Sequence, residues 1–242
     1  WAVLIGINQY RYVEPLRYAV NDAIAMRDML MRQGFRPERI FTLFDGQATR
    51  EAIMRLLGDQ LPRMVGSNDR LLIFFAGHGE TREPRPRVDQ GFLIPVDGRR
   101  ESLGATAIDW LGDLRRVLVN TLAAKHVLFI ADACYSGYGA TRDLGVVPTL
   151  SRAGSLTARQ VLTAGGKGEQ VVEEGGQGLF TRILLRGLEG AADRNGDGAV
   201  TASELANYVR EHVPAASGYR QTPNFAWLHA GEGDFIVASV PR

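Results

Sequence analysis

Two uninterrupted apolar runs decide most of what this chain can fold into. Leu71-Leu-Ile-Phe-Phe-Ala76 stops at Gly77-His78-Gly79, and Val127-Leu-Phe-Ile-Ala131 runs into Asp132-Ala-Cys134-Tyr-Ser-Gly137. A run that is apolar at every position, rather than at alternate ones, is buried on both faces, as in a parallel sheet covered by helices. Each run ends abruptly in glycine and polar residues, so each presents chemistry at the carboxyl end of a strand. Ligands of open α/β sheets bind outside those ends. One strand is tipped by His78 and the other by Cys134, the only cysteine of the chain.

The remainder of the sequence alternates in the same way. Ala2–Ile7 reads as a strand, and 18–32 as a helix with apolar residues at 19, 20, 23, 26, 29 and 30. Residues 39–44 form a strand, and 49–61 a helix capped by Thr49. The charged stretch 80–89, with Pro84 and Pro86, reads as a flexible surface loop, and 91–96 as a short extended piece. A helix over 110–124 precedes the Cys134 strand. Residues 135–159 lack periodicity, which marks a long functional or cleavable connection. A strand over 160–164, a glycine-rich loop over 165–178, helices over 179–190 and 202–212 and a last strand over 235–238 complete the pattern. Strands alternating with helices predict a mostly parallel sheet with helices on both faces.

At 242 residues and 45% apolar content the chain can bury one sizeable core. Its formal charge of +1 gives no electrostatic case for nucleic acid or an anionic membrane. No apolar run reaches the length of a membrane span, and no signal peptide is visible. A single cysteine excludes an internal disulfide framework and fits a reducing, cytoplasmic setting. The sequence opens at Trp1 directly in a strand, so the expectation is a unit fused to further domains.

A cysteine and a histidine on neighbouring strand ends are the parts of a thiol nucleophile. A free thiol, with a pKa of about 8.5, is only slightly ionised at neutral pH, and an adjacent imidazolium lowers that value. The imidazole can then protonate the departing amine. Backbone amides of Gly79 and Cys134 are the candidate oxyanion donors. His126 lies at the opposite end of the Cys134 strand, about 20 Å away at about 3.3 Å per residue, and cannot be the partner. His212 falls on a late helix and His229 in a C-terminal loop, so His78 is the expected base.

These residues carry a family resemblance. Ala2-Val-Leu-Ile-Gly-Ile-Asn8, Asn21-Asp22-Ala23, Phe75-Ala-Gly-His78-Gly79, Asp132-Ala-Cys134-Tyr-Ser-Gly137 and Gly178-Leu-Phe-Thr181 occur in the order found in caspase-like cysteine peptidases. The sequence resembles the bacterial caspase homologue and metacaspase (orthocaspase) branch more than the animal enzymes. Animal caspases carry glutamine two residues before the cysteine, where this chain has Asp132. The resemblance implies a three-layer α/β/α sandwich around a mainly parallel six-stranded sheet. It implies one peptidase domain over 1–242, divided into a large-subunit-like part (about 1–140), a connecting loop (about 141–159) and a small-subunit-like part (about 160–242). It also implies that Asp22 and Asp132 line a pocket for arginine or lysine before the scissile bond of a protein or peptide substrate. A carboxylate suits a guanidinium physically, although Asp22 would also be favoured by the dipole at the start of its helix.

An enzyme that cuts after basic residues can cut itself, and Arg142, Arg152 and Arg159 lie in the expected connecting loop. A second motif is sharp as well. Asp193, Asn195, Asp197, Ala199, Thr201 and Glu204 occupy the ligand positions of an EF-hand calcium loop, with Gly198 at its sharp turn. The same residues also read as two tight turns followed by a capping box of Thr201 with Glu204. The chemistry of a thiol peptidase needs no cofactor, so Ca2+ would modulate rather than react. Two other readings compete: a catalytically idle caspase-fold module used for regulated association, and acyl transfer to a small molecule through the same thiol.

Overall fold

The structure, a computed structural model, describes residues 1–86, 88–134, 150–169, 172–229 and 233–240, with the backbone alone at 134 and 174. In chain order its strands are β1 (Ala2–Gly6), β2 (Ile40–Phe44), β3 (Arg70–Ala76), β4 (Gly79–Arg85), β5 (Val88–Leu93), β6 (Ile108–Asp109), β7 (His126–Cys134), β8 (Ala158–Gly165), β9 (Glu173–Glu174), β10 (Gln177–Gly178), β11 (Ala199–Thr201), β12 (Asn224–Trp227) and β13 (Ile236–Ser239). The α-helices are α1 (Ala19–Arg32), α2 (Arg50–Arg55), α3 (Leu61–Met64), α4 (Leu103–Thr106), α5 (Leu150–Ser155), α6 (Leu179–Arg186) and α7 (Ala202–Ala216). Wider π-helical turns join α2 to α3 and make up the helical stretch at Trp110–Arg115 and Val117–Thr121.

A six-stranded sheet in the order β12-β8-β7-β3-β1-β2 forms the middle layer. All its pairs are parallel except β12 with β8. The double-sided burial read from the two apolar runs follows from strand alternation. Leu72, Phe74, Leu128 and Ile130 pack with α1, α6 and α7 on one face. Leu71, Ile73, Phe75, Val127 and Phe129 pack on the other, against residues of 53–61 and 110–118. The α/β/α sandwich is therefore the observed architecture. Thr49 caps α2 as expected, its hydroxyl accepting the Ala52 N–H at 3.1 Å. Among the described residues no helix is long and apolar enough to cross a membrane.

Three local expectations need correction. The stretch 80–89 is not an irregular loop, because most of it lies in the β4–β5 hairpin, which joins β6 in a small antiparallel sheet. Proline is tolerated there because Pro84 sits where the pairing slips, between Arg82 and Arg85, and no ladder N–H is required. The sixth strand of the main sheet is β12, an edge strand too short and too close to Pro223 to stand out. The apolar run near 235–238 instead pairs with β11 and buries Phe235, Val237 and Ala238 against the α7 side of the sheet.

The third correction concerns the connection after Cys134. Of the expected loop, 150–155 is helical and β8 begins at Ala158, so Arg159 lies inside a central strand. Its guanidinium is buried and donates to the carbonyls of Leu122, Lys125 and Ala158 at 3.0–3.1 Å. A bond after Arg159 is thus closed to proteolysis. Arg152 is in α5, and Arg142 lies outside the described residues. Replacing Arg159 by methionine keeps the stem and removes the guanidinium donor from three carbonyls, of which that of Lys125 retains the Ala158 N–H, and is expected to cost about 2 kcal/mol. Urea unfolding measures this, and an unchanged midpoint would contradict the structural role.

Candidate active site

The pairing of β3 with β7 brings the two predicted catalytic positions to one edge. Ala76 stands opposite Asp132, and the Gly77 N–H still donates to the Asp132 carbonyl at 3.3 Å. His78 and Cys134 each follow this matched pair at the same interval, on strands about 4.8 Å apart. Cys134 is the last residue of β7 and faces Gly165 of β8 across a register shift. His126, by contrast, opens β7 at the far end, where its Nε2 lies 2.7 Å from the Leu156 carbonyl oxygen. Gly79 opens β4 opposite Leu93.

The half-buried His78 is held from two sides by the loop after β1. Its backbone N–H donates to the Tyr10 hydroxyl at 2.8 Å, and the two rings lie 4.9 Å apart. Its Nε2 sits 2.8 Å from the Glu14 carbonyl oxygen. A carbonyl only accepts, so Nε2 carries the hydrogen and Nδ1 is left as the basic nitrogen. Burial is the main cause that lowers the His78 pKa from its ordinary value, with the Glu14 carbonyl opposing it. The imidazole is therefore neutral, and a base, near pH 7.

Glycine at 77 is explained by this contact. A Cβ there would lie 2.5 Å from the Tyr10 oxygen and block the phenol from His78. The loop is anchored in turn by Asp45, whose Oδ1 accepts the N–H groups of Asn8 and Gln9 at 2.7 and 2.9 Å. Arg100 ties its far end to β4, meeting Glu14 at 2.7 Å and Glu80 at 3.1 Å. Tyr10 and Glu14 were not singled out by sequence reasoning. The Glu14 contribution is a backbone carbonyl, which no residue pattern announces.

Beside the candidate catalytic pair lies a cluster of acids. Alternation along β7 sends Asp132 to the face covered by α1 and α6, and those helices supply Asp22 and Thr181. Both carboxyls are buried. Thr181 Oγ1 donates to Asp132 Oδ2 at 2.6 Å, and the Gly178 N–H donates to Asp22 Oδ1 at 3.0 Å. The second oxygen of Asp132 is buried with no hydrogen-bond partner among the described residues. The charges acting on Asp22 are those of Asp132 and Glu173, both of its own sign. Burial first, then the Asp132 charge, pushes Asp22 up to about 8. Burial pushes Asp132 to about 6 against the bonds from Thr181. The pair thus retains a proton at neutral pH.

Glu173 is the acid the sequence reading passed over. It lies in β9, inside the expected glycine-rich loop, and its carboxylate accepts the N–H groups of Arg17 and Tyr18 at 3.2 and 3.0 Å. The small β9–β10 hairpin therefore docks onto the start of α1 next to Asp22. The available signal was an adjacent acidic pair, Glu173-Glu174, in a glycine-rich loop.

With this geometry in place, the comparisons with known proteins become specific. A profile described as the caspase domain matches residues 1–229. The chain belongs to the caspase family. That family is one of cysteine peptidases, and the chain is similar to several metacaspases. Metacaspase-1 of Eremothecium gossypii is 32% identical over 148 residues, covering 56% of this chain and 31% of that protein. Metacaspase-1 of Lodderomyces elongisporus is 28% identical over 198 residues, covering 76% and 40%. Metacaspase-9 of Arabidopsis thaliana is 30% identical over 151 residues, covering 56% and 43%. The chain spans less than half the length of each of these relatives. Among solved structures, caspase-1 from Spodoptera frugiperda aligns with a TM-score of 0.58 at 16% identity, covering 99% of this chain and 89% of that one. A Geobacter sulfurreducens protein aligns with a TM-score of 0.64 at 18% identity, covering 93% and 92%. At such identities these two likenesses concern the caspase fold alone.

The EF-hand-like loop lies between the helical segment ending at Ala191 and α7. Asp193 accepts the N–H groups of Gly196 and Gly198 at 2.9 and 3.0 Å, and Asp197 that of Ala199 at 3.0 Å. Asn195 donates to Glu204 at 2.9 Å, and Glu204 completes the capping box with Thr201. Among the described residues no group of three or more His, Cys, Asp or Glu gathers as a metal site. Glu204, the position that would close the loop, is engaged by two other predicted ligands, Asn195 on one oxygen and Thr201 on the other.

The acid pair gives a pH signature in the free protein. Both folded pKa values are raised above the ordinary carboxyl value of 3.8. The corresponding stability is fully present below about pH 4 and is lost as pH rises through the folded values of about 6 and 8. The melting temperature is expected to fall by at least about 3 °C between pH 5 and pH 8.5, and Asp22→Asn should flatten that slope. Thermal melts across the range test it; equal slopes for the two proteins would contradict it.

Proposed function

We propose that this chain is a cysteine endopeptidase that hydrolyses peptide bonds after arginine or lysine. The observation that carries the reading is a buried pair of acids with no cation beside them among the described residues, next to the strand ends that lead to His78 and Cys134. A guanidinium placed between Asp22 and Asp132 would let both ionise and would supply donors to the unpartnered oxygen of Asp132. Its scissile carbonyl would then lie near Cys134.

In the first step His78 Nδ1 takes the thiol proton and the Cys134 sulfur attacks the carbonyl carbon. The resulting oxyanion is held by the N–H groups of Gly79 and Cys134. Collapse expels the amine, which leaves with the proton from His78, and a thioester remains. Water, deprotonated by the same nitrogen, attacks the thioester and returns the thiol. Hydrogen bonding of Nε2–H to the Glu14 carbonyl stabilises the imidazolium formed in each half. The Tyr10 hydroxyl keeps the histidine backbone in place throughout.

A fluorogenic peptide ending in arginine is expected to be hydrolysed, and one ending in aspartate is not. Cys134→Ala should abolish turnover, and Asp132→Asn should lower kcat/KM for the arginine peptide by about 100-fold or more, a few kcal/mol of lost transition-state binding. Absence of both turnover and labelling by a peptidyl-arginine electrophile would favour the idle association module instead. Self-cleavage after Arg142 or Arg152 belongs to the same reading and predicts new amino termini in the active protein that the Cys134→Ala protein lacks.

Calcium modulation is a separate part of the proposal. What supports it is the oxygen-donor spacing of the loop and the pairing of β11, at the loop's seventh to ninth positions, with β13. That pairing occupies the place a second EF-hand would take. Binding requires Glu204 to exchange Thr201 for the ion, so affinity is expected to be low. Millimolar Ca2+ should raise the melting temperature by about 2 °C or more, and the rise should vanish in Asp193→Ala. Identical melts with calcium and with chelator would remove this part alone.

A further inference from the structure

We infer that Gly178 determines the preference for arginine over lysine, by allowing the Asp22 and Asp132 carboxylates to converge on one point. The inference rests on the reading of that acid pair as the seat of the substrate's basic side chain. Gly178 lies just before α6 with φ −63° and ψ 135°, a conformation open to any L-residue. Backbone freedom therefore does not account for glycine here. Space does. A Cβ at this position would lie 2.7 Å from Asp132 Oδ2 and 2.9 Å from Asp22 Oδ2, closer than non-bonded carbon and oxygen approach.

What such a methyl group would displace is the acids themselves. Neither is the loose end of a long surface side chain. Asp22 is bound by the N–H of Gly178, and Asp132 by the hydroxyl of Thr181 one helical turn further on. Both are buried, and Asp132 Oδ1 still lacks a partner among the described residues, so an acceptor stands ready at the same place. Moving the two carboxylates apart changes their spacing while leaving their charge.

Arginine and lysine read spacing differently. A guanidinium offers planar, forked N–H groups that need acceptors at a fixed separation, whereas an ammonium is a compact charge with three rotatable donors. A displaced acid pair therefore penalises arginine more than lysine. Loss of general negative charge would penalise both alike.

The test compares matched peptides ending in arginine and in lysine on Gly178→Ala. The expected result is a fall of at least 30-fold in kcat/KM for arginine, carried by KM, with the arginine-to-lysine ratio reduced at least fivefold. Alkylation of Cys134 by iodoacetamide should stay within twofold of the unaltered protein, which also reports that the variant is folded. Should the alanine variant not fold, Thr181→Val removes the hydroxyl that fixes Asp132 and should lower the same ratio, while Thr181→Ser should preserve it. An unchanged ratio in the folded variant overturns the inference. Asp22→Asn and Asp132→Asn separate the two levels: if neither weakens arginine hydrolysis, the acid-pair reading itself falls. If both do and Gly178→Ala retains the ratio, only the role of Gly178 falls.

Discussion

The parallel pairing of β3 with β7 is the constraint on which the rest of the site depends. Once Ala76 is set opposite Asp132, the residues that follow each strand leave the sheet side by side. Parallel neighbours share their carboxyl ends, so a histidine and a cysteine distant in sequence reach the same rim without a dedicated connection. The apolar runs before them supply the rigidity, because Ile73, Phe74, Phe75, Phe129 and Ile130 are fully buried between two helical layers. Side chains at such an edge are positioned by the sheet, and only their immediate orientation is left to loops.

That orientation comes from the segment after β1. Asp45 fixes its beginning, Arg100 its end, and between them Tyr10 and the Glu14 carbonyl grip His78. The Arg100 contacts are exposed and individually weak, worth well under about 1 kcal/mol by comparison with other surface pairs. The buried Tyr10 contact is the stronger restraint, and Gly77 exists to admit it. A neutral imidazole whose Nδ1 is the basic nitrogen is the outcome.

The acid pair obeys the opposite logic. Two carboxyls held together away from water, with a third acid close by, oppose the stability of the free protein above pH 6. Such an arrangement is costly unless something positive completes it. Under the proposed specificity, a basic side chain of the substrate would do so by exchanging a proton for a guanidinium or ammonium. The helix start at Gly178, the hydroxyl of Thr181 and the β9–β10 hairpin hold the two acids in place.

Much of this was legible in the residues. Unbroken apolar runs gave the buried parallel strands, and their polar ends marked His78 and Cys134, because double-sided burial and strand-end chemistry are local properties; Asp22 and Asp132 came from the family resemblance. Thr49 as a helix cap and the Thr201–Glu204 capping box were equally local. What the residues left undecided was which distant pieces meet. Pro84 could be accommodated in a hairpin only because a pairing irregularity fell on it, and the sixth strand went to Asn224–Trp227 because an edge position tolerates a short, poorly marked segment. Arg159 looked like a loop residue until three carbonyls of neighbouring segments surrounded it. Tyr10, the Glu14 carbonyl, Glu173 and Gly178 act through contacts across long sequence separations, and only tertiary packing creates those. The sequence by itself determined the long buried strands and nominated the candidate reactive residues, since burial period and side-chain chemistry are written position by position; the fold alone decided the short elements, the spacing, the protonation and the partners of those groups, since these depend on what each is packed against.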